Sequence, residues 1–393
     1  MRICVIGGTG NISTSIVTVL LTQGHEVTCF NRGQSGEVPA GARLIQGDRG
    51  DRAAFERTMQ AKPFDAAIDM MCFNREDAIS SVRAFRHAQH FVQCSTVCTY
   101  GIDSDWMPLT EEHPLRPTTA YAQHKAEADA VFLDAYDRRG FPVTIVKPST
   151  TYGPKQGLLR QIAWDFSWID RIRKGKPLLI CGDGNALHQH LHVDDAALGF
   201  AHILGKEHCR GQVYNLVDRG FCTWADYHRT AMGVLGRQVD LVGVPLSDLQ
   251  ALNVPNFEIC REVFAHHAYY SAEKLARDVP EFHPAVAASS PSSRNTRWAR
   301  TRTGSKSSIS PEAARRGLEI PTRRARLLRS RGRDPAPSPA QYRLRGRQAE
   351  RRRGSRRAGR ATIQVYGTPR HDVRHLPGPV PSHRREPHPR PQP

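Results

Sequence analysis

The chain has 393 residues and a formal net charge of +18, and this length is sufficient for one large or two ordinary domains with a hydrophobic core. The charge is uneven, because residues 291–393 hold 27 Lys and Arg against 6 Asp and Glu, whereas residues 1–290 carry a net charge of −3. The mildly acidic body disfavours a nucleic-acid-binding domain, and no apolar stretch of about 18 residues predicts a membrane-spanning helix.

The cysteines and the N-terminus indicate the compartment. All nine cysteines lie within the first 290 residues, without C-x-x-C spacing, which predicts reduced thiols, several of them in buried strands. The N-terminal sequence MRICVIGGTG enters an apolar run and a glycine turn directly, without the pattern of a secretory leader. We therefore expect a soluble, cytoplasmic protein.

From the N-terminus onward, short apolar runs alternate with helical patterns. The runs are RICVIGG, HEVTCFN, ARLIQGD, FDAAIDMM, HFVQCST and FPVTIVKPS, and patterns such as NISTSIVTVLLTQG and REDAISSVRAFRHA separate them. Strand, helix and strand at this spacing predict an α/β fold with a doubly wound parallel sheet that helices cover on both faces. The alternation is less regular over residues 155–287, which predicts a smaller region built from insertions.

The composition changes abruptly after about residue 287. The segments SSPSSRNTRWARTRTGSKSS, RRRGSRRAGR and SHRREPHPRPQP are rich in Arg, Pro, Ser and Gly, and this composition predicts a disordered tail over residues 288–393. Two interpretations are open: a basic arm for nucleic acid or an anionic surface, or the product of a reading-frame slip in a GC-rich gene. We favour the slip, because the tail lacks the patterning of a disordered binding arm.

The first turn reads GGTGNIS and contains Gly7, Gly10 and Ser13. It follows the first strand directly and opens an apolar helix, where backbone N–H groups and the helix dipole can hold a pyrophosphate. Ser13 stands where a third glycine is usual, and a small residue there still allows close packing of the helix on the strand. The turn therefore predicts a dinucleotide site.

The second and third strands end in residues that bear on the choice of cofactor. The second strand ends in CFNRG, with Asn31 and Arg32 in place of an acidic residue. An acid there binds the ribose hydroxyls of NAD, whereas an arginine accommodates a 2′-phosphate, so this pair favours NADP. In GDRGD, Asp48 follows the third strand near the expected adenine.

Two further motifs supply groups for proton transfer. In YAQHK, Tyr121 and Lys125 lie four residues apart, which places them on one face of a helix. The fifth strand ends in CSTVCTYG, with Ser95 and Thr96. A hydroxyl, a tyrosine and a lysine at the carboxyl edge of such a sheet would form a proton-transfer set beside a nicotinamide.

GGTGNIS, the GD of the third strand, S-T-x-x-x-Y-G, Y-x-x-x-K, VKPSTTYGP and GDGN…HVDD occur in this order. Over about residues 1–285 the chain therefore resembles the extended short-chain dehydrogenases/reductases of the NAD-dependent epimerase/dehydratase family. The resemblance implies a Rossmann dinucleotide-binding domain at 1–154 and a smaller substrate-binding region at 155–287, interleaved with the Rossmann core.

The resemblance also implies roles for individual residues. Tyr121 would be the general acid/base, and Lys125 would bind the nicotinamide ribose and lower the pKa of Tyr121. Thr96 would hydrogen-bond the reacting oxygen. Ser95 lies one position too early for that role and is expected only to end the strand. Besides Tyr121 and Lys125, the implied cofactor contacts are Gly7, Gly10, Asn11, Ile12, Asn31, Arg32, Asp48, Arg49, Met71 and Pro148.

The chain departs from the family pattern at two places. Val97 and Cys98 follow Thr96, where the sugar-nucleotide 4,6-dehydratases carry Asp-Glu, so dehydration is disfavoured and epimerisation or carbonyl reduction remains. His188 falls where these enzymes often carry an arginine for the diphosphate, and Thr150 replaces an asparagine. Both His188 and Thr150 are candidate substrate contacts.

His188, His190 and His192 alternate along one segment and would share a face of a strand. No Cys or carboxylate ligand is adjacent at a recognised spacing, so we predict no metal site. Asp194 and Asp195 are expected to orient this segment or to cap the helix that follows.

The leading hypothesis is an NAD(P)-dependent epimerase acting on a sugar, as a sugar nucleotide. In that mechanism, Tyr121 removes a hydroxyl proton while hydride passes to the nicotinamide, and the resulting keto intermediate turns before hydride returns to its other face. One alternative is an NADPH-dependent ketone reductase. Another is a nucleic-acid-binding protein on a dehydrogenase fold, which the basic tail would favour. The resemblance implies a homodimer, and no membrane partner is expected.

Overall fold

The computed structural model describes residues 1–252 and 254–284, and the predicted tail at 288–393 lies outside this part. Its strands are β1 (Arg2–Ile6), β2 (Glu26–Asn31), β3 (Arg43–Gln46), β4 (Ala66–Asp69), β5 (His90–Cys94), β6 (Val143–Pro148), β7 (Thr150–Tyr152), β8 (Leu178–Cys181), β9 (Leu187–His188), β10 (His190–His192), β11 (Val213–Leu216), β12 (Cys222–Thr223) and β13 (Leu241–Val244). Its α-helices are α1 (Asn11–Thr22), α2 (Arg52–Gln60), α3 (Arg75–Ala84), α4 (Ala120–Arg139), α5 (Trp168–Arg173), α6 (Val193–Ile203), α7 (Trp224–Leu235), α8 (Leu246–Ala251) and α9 (Glu273–Asp278).

Seven strands form one parallel sheet in the order β11-β6-β5-β4-β1-β2-β3. The chain runs outward from β1 through β2 to β3, and then crosses to β4 and builds the other half of the sheet. The strand order therefore reverses between β1 and β4, and ligands of open α/β sheets bind beyond the carboxyl ends of the strands at such a point. The predicted doubly wound α/β fold is confirmed.

Residues of β1 alternate between two apolar layers. Ile3 and Val5 pack in one cluster with residues of α1 and α6, whereas Cys4 and Ile6 pack in another with residues of α2, α3 and α4. A strand whose two faces are both covered by helices has to be apolar at successive positions, which explains the continuous run RICVI. The sheet is thus the middle of three layers.

The helix α4 brings the YAQHK motif to the sheet. Thr119 begins it, since its side-chain oxygen accepts a hydrogen bond from the N–H of Ala122 at 3.0 Å, and Gly140 ends it with a φ of +64°. Every third or fourth residue of α4 is buried, and the buried set is Ala122, Lys125, Ala128, Asp129, Phe132 and Ala135. Two of these residues are charged, which is unusual for a face packed on a sheet.

Residues after 155 contribute in two ways. β11 returns to the central sheet beside β6, whereas Trp168, Trp224 and Phe264 belong to a separate apolar cluster. Three small pairings complete the described part: β7 with β10, β8 with β13, and β9 with β12. All nine cysteines are free, seven of them buried. No helix within residues 1–252 and 254–284 is both long and apolar enough to cross a bilayer.

Candidate active site

The glycine turn lies at the carboxyl end of β1 and is held by Ser13. The Ser13 hydroxyl accepts a hydrogen bond from the N–H of Gly10 at 2.8 Å and donates one to the carbonyl of Gly7 at 2.5 Å. Gly7 has a φ of +84°, and a Cβ there would lie 2.4 Å from the side chain of Met71. A serine in place of the usual third glycine therefore stabilises the turn through its hydroxyl.

Asn31, at the end of β2, also supports this turn. Its Oδ1 accepts a hydrogen bond from the N–H of Gly8 at 3.1 Å, and its Nδ2 donates one to the Thr9 hydroxyl at 2.9 Å. Both ends of the Asn31 amide therefore face the turn, which gives the side chain a structural role, and its predicted cofactor contact stays a prediction. Arg32 is exposed at the adjacent position.

The turn offers the groups that a pyrophosphate needs. Both amide atoms of Asn11 are buried without a hydrogen-bond partner among the described residues, and Asn11 begins the twelve-residue helix α1. Lys155 donates from Nζ to the carbonyl of Thr9 at 2.8 Å, which places an ammonium beside the turn. Backbone N–H groups, an unused amide and a cation fit a dinucleotide there. Lys155 was not predicted from the sequence, because it belongs to no motif that indicates a cofactor contact.

The other predicted cofactor residues lie at different depths. Asp48 is exposed, and its carboxylate accepts a hydrogen bond from the N–H of Gly50 at 2.8 Å. Ile12 is half-buried against the core, and Pro148 lines the same cavity as Tyr121.

Arg49 is only 8% exposed, and its Nη2 donates to the carbonyl of Asp77 at 2.5 Å and to the hydroxyl of Ser81 at 2.9 Å. Its guanidinium also stands over the Phe55 ring, 4.2 Å from the centroid. These contacts tie Nη2 of Arg49 to α3, whereas its Nε and Nη1 are buried without a hydrogen-bond partner among the described residues. The predicted cofactor contact of Arg49 stays a prediction.

Thr96 and Tyr121 line one cavity of about 420 Å³, together with Pro148, Thr150 and His188. Thr96 follows β5 and begins a short 3₁₀-helix, where its oxygen accepts a hydrogen bond from the N–H of Cys98 at 3.2 Å. Tyr121 is in the first turn of α4 and is 47% exposed. The structure thus brings the predicted acid/base, its hydroxyl neighbour and both candidate substrate contacts to one place.

The pKa of Tyr121 differs from the expectation. Burial raises the pKa of this phenol well above its usual value, and a hydrogen bond with Thr96 opposes the shift. Lys125 donates from Nζ to the carbonyls of Cys72 and Cys94 at 2.8 and 2.7 Å, and this ammonium lies 6.0 Å from the centroid of the Tyr121 ring. The lowering of this pKa by Lys125, which the family resemblance implies, stays a prediction.

A buried charged pair lies behind the residues predicted to transfer protons. Ser95 donates to the Asp129 carboxylate at 2.6 Å, and Lys147 Nζ lies 3.6 Å from the same carboxylate and donates to the Thr99 hydroxyl at 2.9 Å. This pair ties α4 to β6 and to the strand end that precedes Thr96. Burial raises the pKa of Asp129, and the positive charge of Lys147 opposes that shift. Sequence reasoning missed Asp129 and Lys147, which no motif connects.

The three histidines do not share one environment. His188 is 2% exposed, and its Nε2 lies 2.8 Å from the Thr150 hydroxyl. The centroid of the His190 ring is 4.7 Å from that of His188, whereas His192 accepts a hydrogen bond from the N–H of Asp194 and caps α6. The cap is thus His192 and not an aspartate. Within the described ranges, no group of three His, Cys, Asp or Glu side chains could hold a metal ion.

Comparison with known proteins places these residues in a family. The model of the NAD dependent epimerase/dehydratase family matches residues 3–216. The chain is 28% identical over 246 residues to the 2′-dehydrokanamycin reductase of Streptomyces kanamyceticus, an alignment that covers 62% of this chain and 70% of the relative. It is 25% identical over 240 residues to the chloroplast stem-loop binding protein of 41 kDa b of Arabidopsis thaliana, covering 57% of this chain and 60% of the relative.

A third relative is a dTDP-glucose 4,6-dehydratase of Streptomyces griseus, 30% identical over 198 residues that cover 49% of this chain and 58% of the relative. Because dehydratases are among the relatives, the comparisons do not support the predicted exclusion of a dehydratase.

Among solved structures, the UDP-glucose 4-epimerase of Thermotoga maritima superposes with a TM-score of 0.61 at 18% identity, covering 81% of this chain and all of that one. This likeness supports the fold alone. The glycine turn, the ordered motifs and the family match over more than half of the chain together show that this protein belongs to the NAD dependent epimerase/dehydratase family.

Proposed function

We propose that this protein catalyses NAD(P)-dependent oxidation and reduction at a sugar carbon, with Tyr121 as general acid/base, and that it works as an epimerase. The observation that carries the proposal is the meeting of Tyr121 and Thr96 in one cavity at the carboxyl edge of the sheet, where the glycine turn also lies. A substrate in this cavity and a dinucleotide at the glycine turn would therefore meet at the carboxyl ends of the strands.

The residues have distinct tasks in this reaction. Tyr121 gives its phenolic proton to a carbonyl oxygen of the substrate, or takes a proton from the hydroxyl in the reverse direction. Thr96 donates a hydrogen bond to the same oxygen and keeps it in line with the phenol. Gly10, Asn11 and Lys155 would hold the pyrophosphate of the dinucleotide, whose nicotinamide supplies the redox chemistry when bound.

The raised pKa of Tyr121 predicts how activity depends on pH. A phenol whose pKa lies above its usual value of about 10 is protonated at neutral pH, so it is ready to give a proton during carbonyl reduction. We expect reduction to change little between about pH 6 and pH 9, and oxidation to rise over the same range. Initial rates in both directions test this, and an oxidation rate that falls with rising pH would contradict it.

The choice of dinucleotide depends on Arg32. We expect Arg32→Ala to weaken NADP binding by about tenfold or more and to change NAD binding by less than about twofold, because an exposed guanidinium can pair with a 2′-phosphate. Titration with both nucleotides measures the effect. Arg43→Ala is a matched control. Arg43 is also exposed, but it lies at the amino end of β3, whereas Arg32 follows the carboxyl end of β2. Equal losses for NADP and NAD in Arg32→Ala would remove the argument for NADP.

A second candidate function is NADPH-dependent reduction of a ketone. Arg32 favours it, as does the similarity to a protein named as a reductase. Denaturing the purified protein and identifying any released nucleotide by absorbance and mass separates the two. Retained NAD supports an epimerase that recycles its own hydride, whereas an empty protein that oxidises NADPH with a ketone sugar supports a reductase. Failure to bind either nucleotide would contradict both.

A nucleic-acid-binding function stays an alternative of another class. A relative named as a stem-loop binding protein favours it, whereas the net charge of −3 over residues 1–290 disfavours it. RNA binding at two salt concentrations, with and without residues after 290, tests it. Binding that survives the deletion would support this alternative over the enzyme.

A further inference from the structure

The cavity beside Tyr121 is poor in positive charge. Among the described residues that line it, none is Lys or Arg. Lys125 lies on the same helix as Tyr121, but it is 2% exposed and donates to two backbone carbonyls. A diphosphate buried in such a cavity would lose its hydration without gaining a cationic partner, which is costly.

His188 does not supply the missing charge. Burial lowers the pKa of its ring to about 3, so the imidazole is neutral at pH 7. Its Nε2 is engaged with the Thr150 hydroxyl at 2.8 Å, and its ring packs against Trp224 and Phe264. At the position where the family resemblance places an arginine for a diphosphate, this chain therefore has an uncharged wall residue.

The cavity carries negative charge instead. Glu258 and Glu262 lie one turn apart on the helical segment that runs into the π-helix at Cys260–Phe264, and both line the cavity. Arg261 pairs with Glu262 at 2.6 Å, but it does not line the cavity and brings one positive charge against two carboxylates. This wall therefore favours a cation over an anion.

Two other features of the lining favour a hydroxyl-bearing ring. Ser149 is 7% exposed, and its hydroxyl has no hydrogen-bond partner among the described residues, although the residue lines the cavity. Buried hydroxyls of this kind pair with a ligand or with water. Trp164 is 46% exposed beside the same cavity and offers a flat apolar surface to the less polar face of a sugar ring.

We propose that the substrate of this cavity is an amino sugar or an aminated polyol that carries protonated amines and no phosphate, and that Glu258 and Glu262 bind its amines. This proposal rests on the proposed redox function, and it departs from the expected nucleotide-sugar substrate. The two glutamates would set substrate choice, while Tyr121 and Thr96 perform the proton transfer.

The test uses the full chain and three sugars that share one glucosamine skeleton. They are β-1,4-linked diglucosamine, which is a dication at about pH 6, its neutral N,N′-diacetyl form, and the anionic UDP-N-acetylglucosamine. Calorimetric titration at low salt measures each affinity. We expect the dication to bind at least about tenfold more tightly than the neutral disaccharide, and this advantage to shrink at high salt.

The variant Glu258→Gln/Glu262→Gln removes both charges with almost no change of shape. It should reduce the tenfold advantage to about twofold or less without changing NADPH affinity, whereas Glu37→Gln, on an exposed loop, should change neither. Tightest binding of UDP-N-acetylglucosamine, equal affinities, or no binding of any sugar would overturn the proposal. If NADPH binds but the cation is not preferred, only this inference fails; if neither NADPH nor NADH binds, the proposed function fails.

Discussion

Tyr121→Phe is expected to lower kcat by about 10²–10⁴-fold, because it removes the proton that the phenol exchanges with the reacting oxygen. The ring itself stays, and it contacts Phe73 with centroids 6.5 Å apart, so the helix and the cavity should keep their shape. Binding of the dinucleotide should change by less than about twofold, since the residues beside the glycine turn are untouched. Steady-state rates and nucleotide titrations measure the two effects.

A matched control for this variant lies on the same helix. Tyr136 is 36% exposed near the other end of α4, so Tyr136→Phe removes an equivalent hydroxyl at a distance from the cavity. It should leave kcat within about twofold. If Tyr121→Phe keeps more than about a tenth of the activity, another group performs the proton transfer and the assignment of Tyr121 is wrong.

Lys147→Met should destabilise the protein by about 3–5 kcal/mol, because it leaves the Asp129 carboxylate buried without its cationic partner. The two side chains are only 3% and 4% exposed, so solvent screens their interaction little. The free energy of unfolding from urea titration measures the loss. The double variant Lys147→Met/Asp129→Asn should recover part of it, since no charge is then left buried.

An exposed Lys–Asp pair provides the comparison. Lys174 lies 2.6 Å from Asp170 on the surface, with side chains 62% and 55% exposed, and such pairs contribute little. Lys174→Met should therefore change the free energy of unfolding by less than about 1 kcal/mol. Equal effects of the Lys147 and Lys174 variants would show that the buried pair does not hold α4 against the sheet.

Much of the fold could be predicted because its signals are local. The apolar run at β1, the glycine turn and the amphipathic pattern of α1 follow each other within 22 residues, and each reinforces the others. The structure brings Tyr121 and Thr96 to one cavity, as expected where the carboxyl ends of parallel strands lie together. The ordered motifs supplied the family.

The site was predicted less completely where the direction of a side chain decides which groups it contacts. The sequence places Lys125 one turn from Tyr121, but it does not show that the ammonium turns to the carbonyls that end two strands. Arg49 was predicted as a cofactor contact, and the structure shows its side chain buried in the fold. Glu258 and Glu262 lie on a segment with no motif, and only the folded chain brings them beside Tyr121.

The position of Asn31 has a consequence for how cofactor preference could evolve or be redesigned. An acidic residue at this place is the simplest route to NAD preference in related folds. Here the side chain is turned toward Gly8 and Thr9, so an aspartate would set a negative charge against the loop that we propose for the pyrophosphate. If the turn holds the dinucleotide as we propose, the Asn31 amide links the binding of any dinucleotide to the choice between NAD and NADP. A change of preference is then expected to be easier through Arg32, whose side chain is exposed.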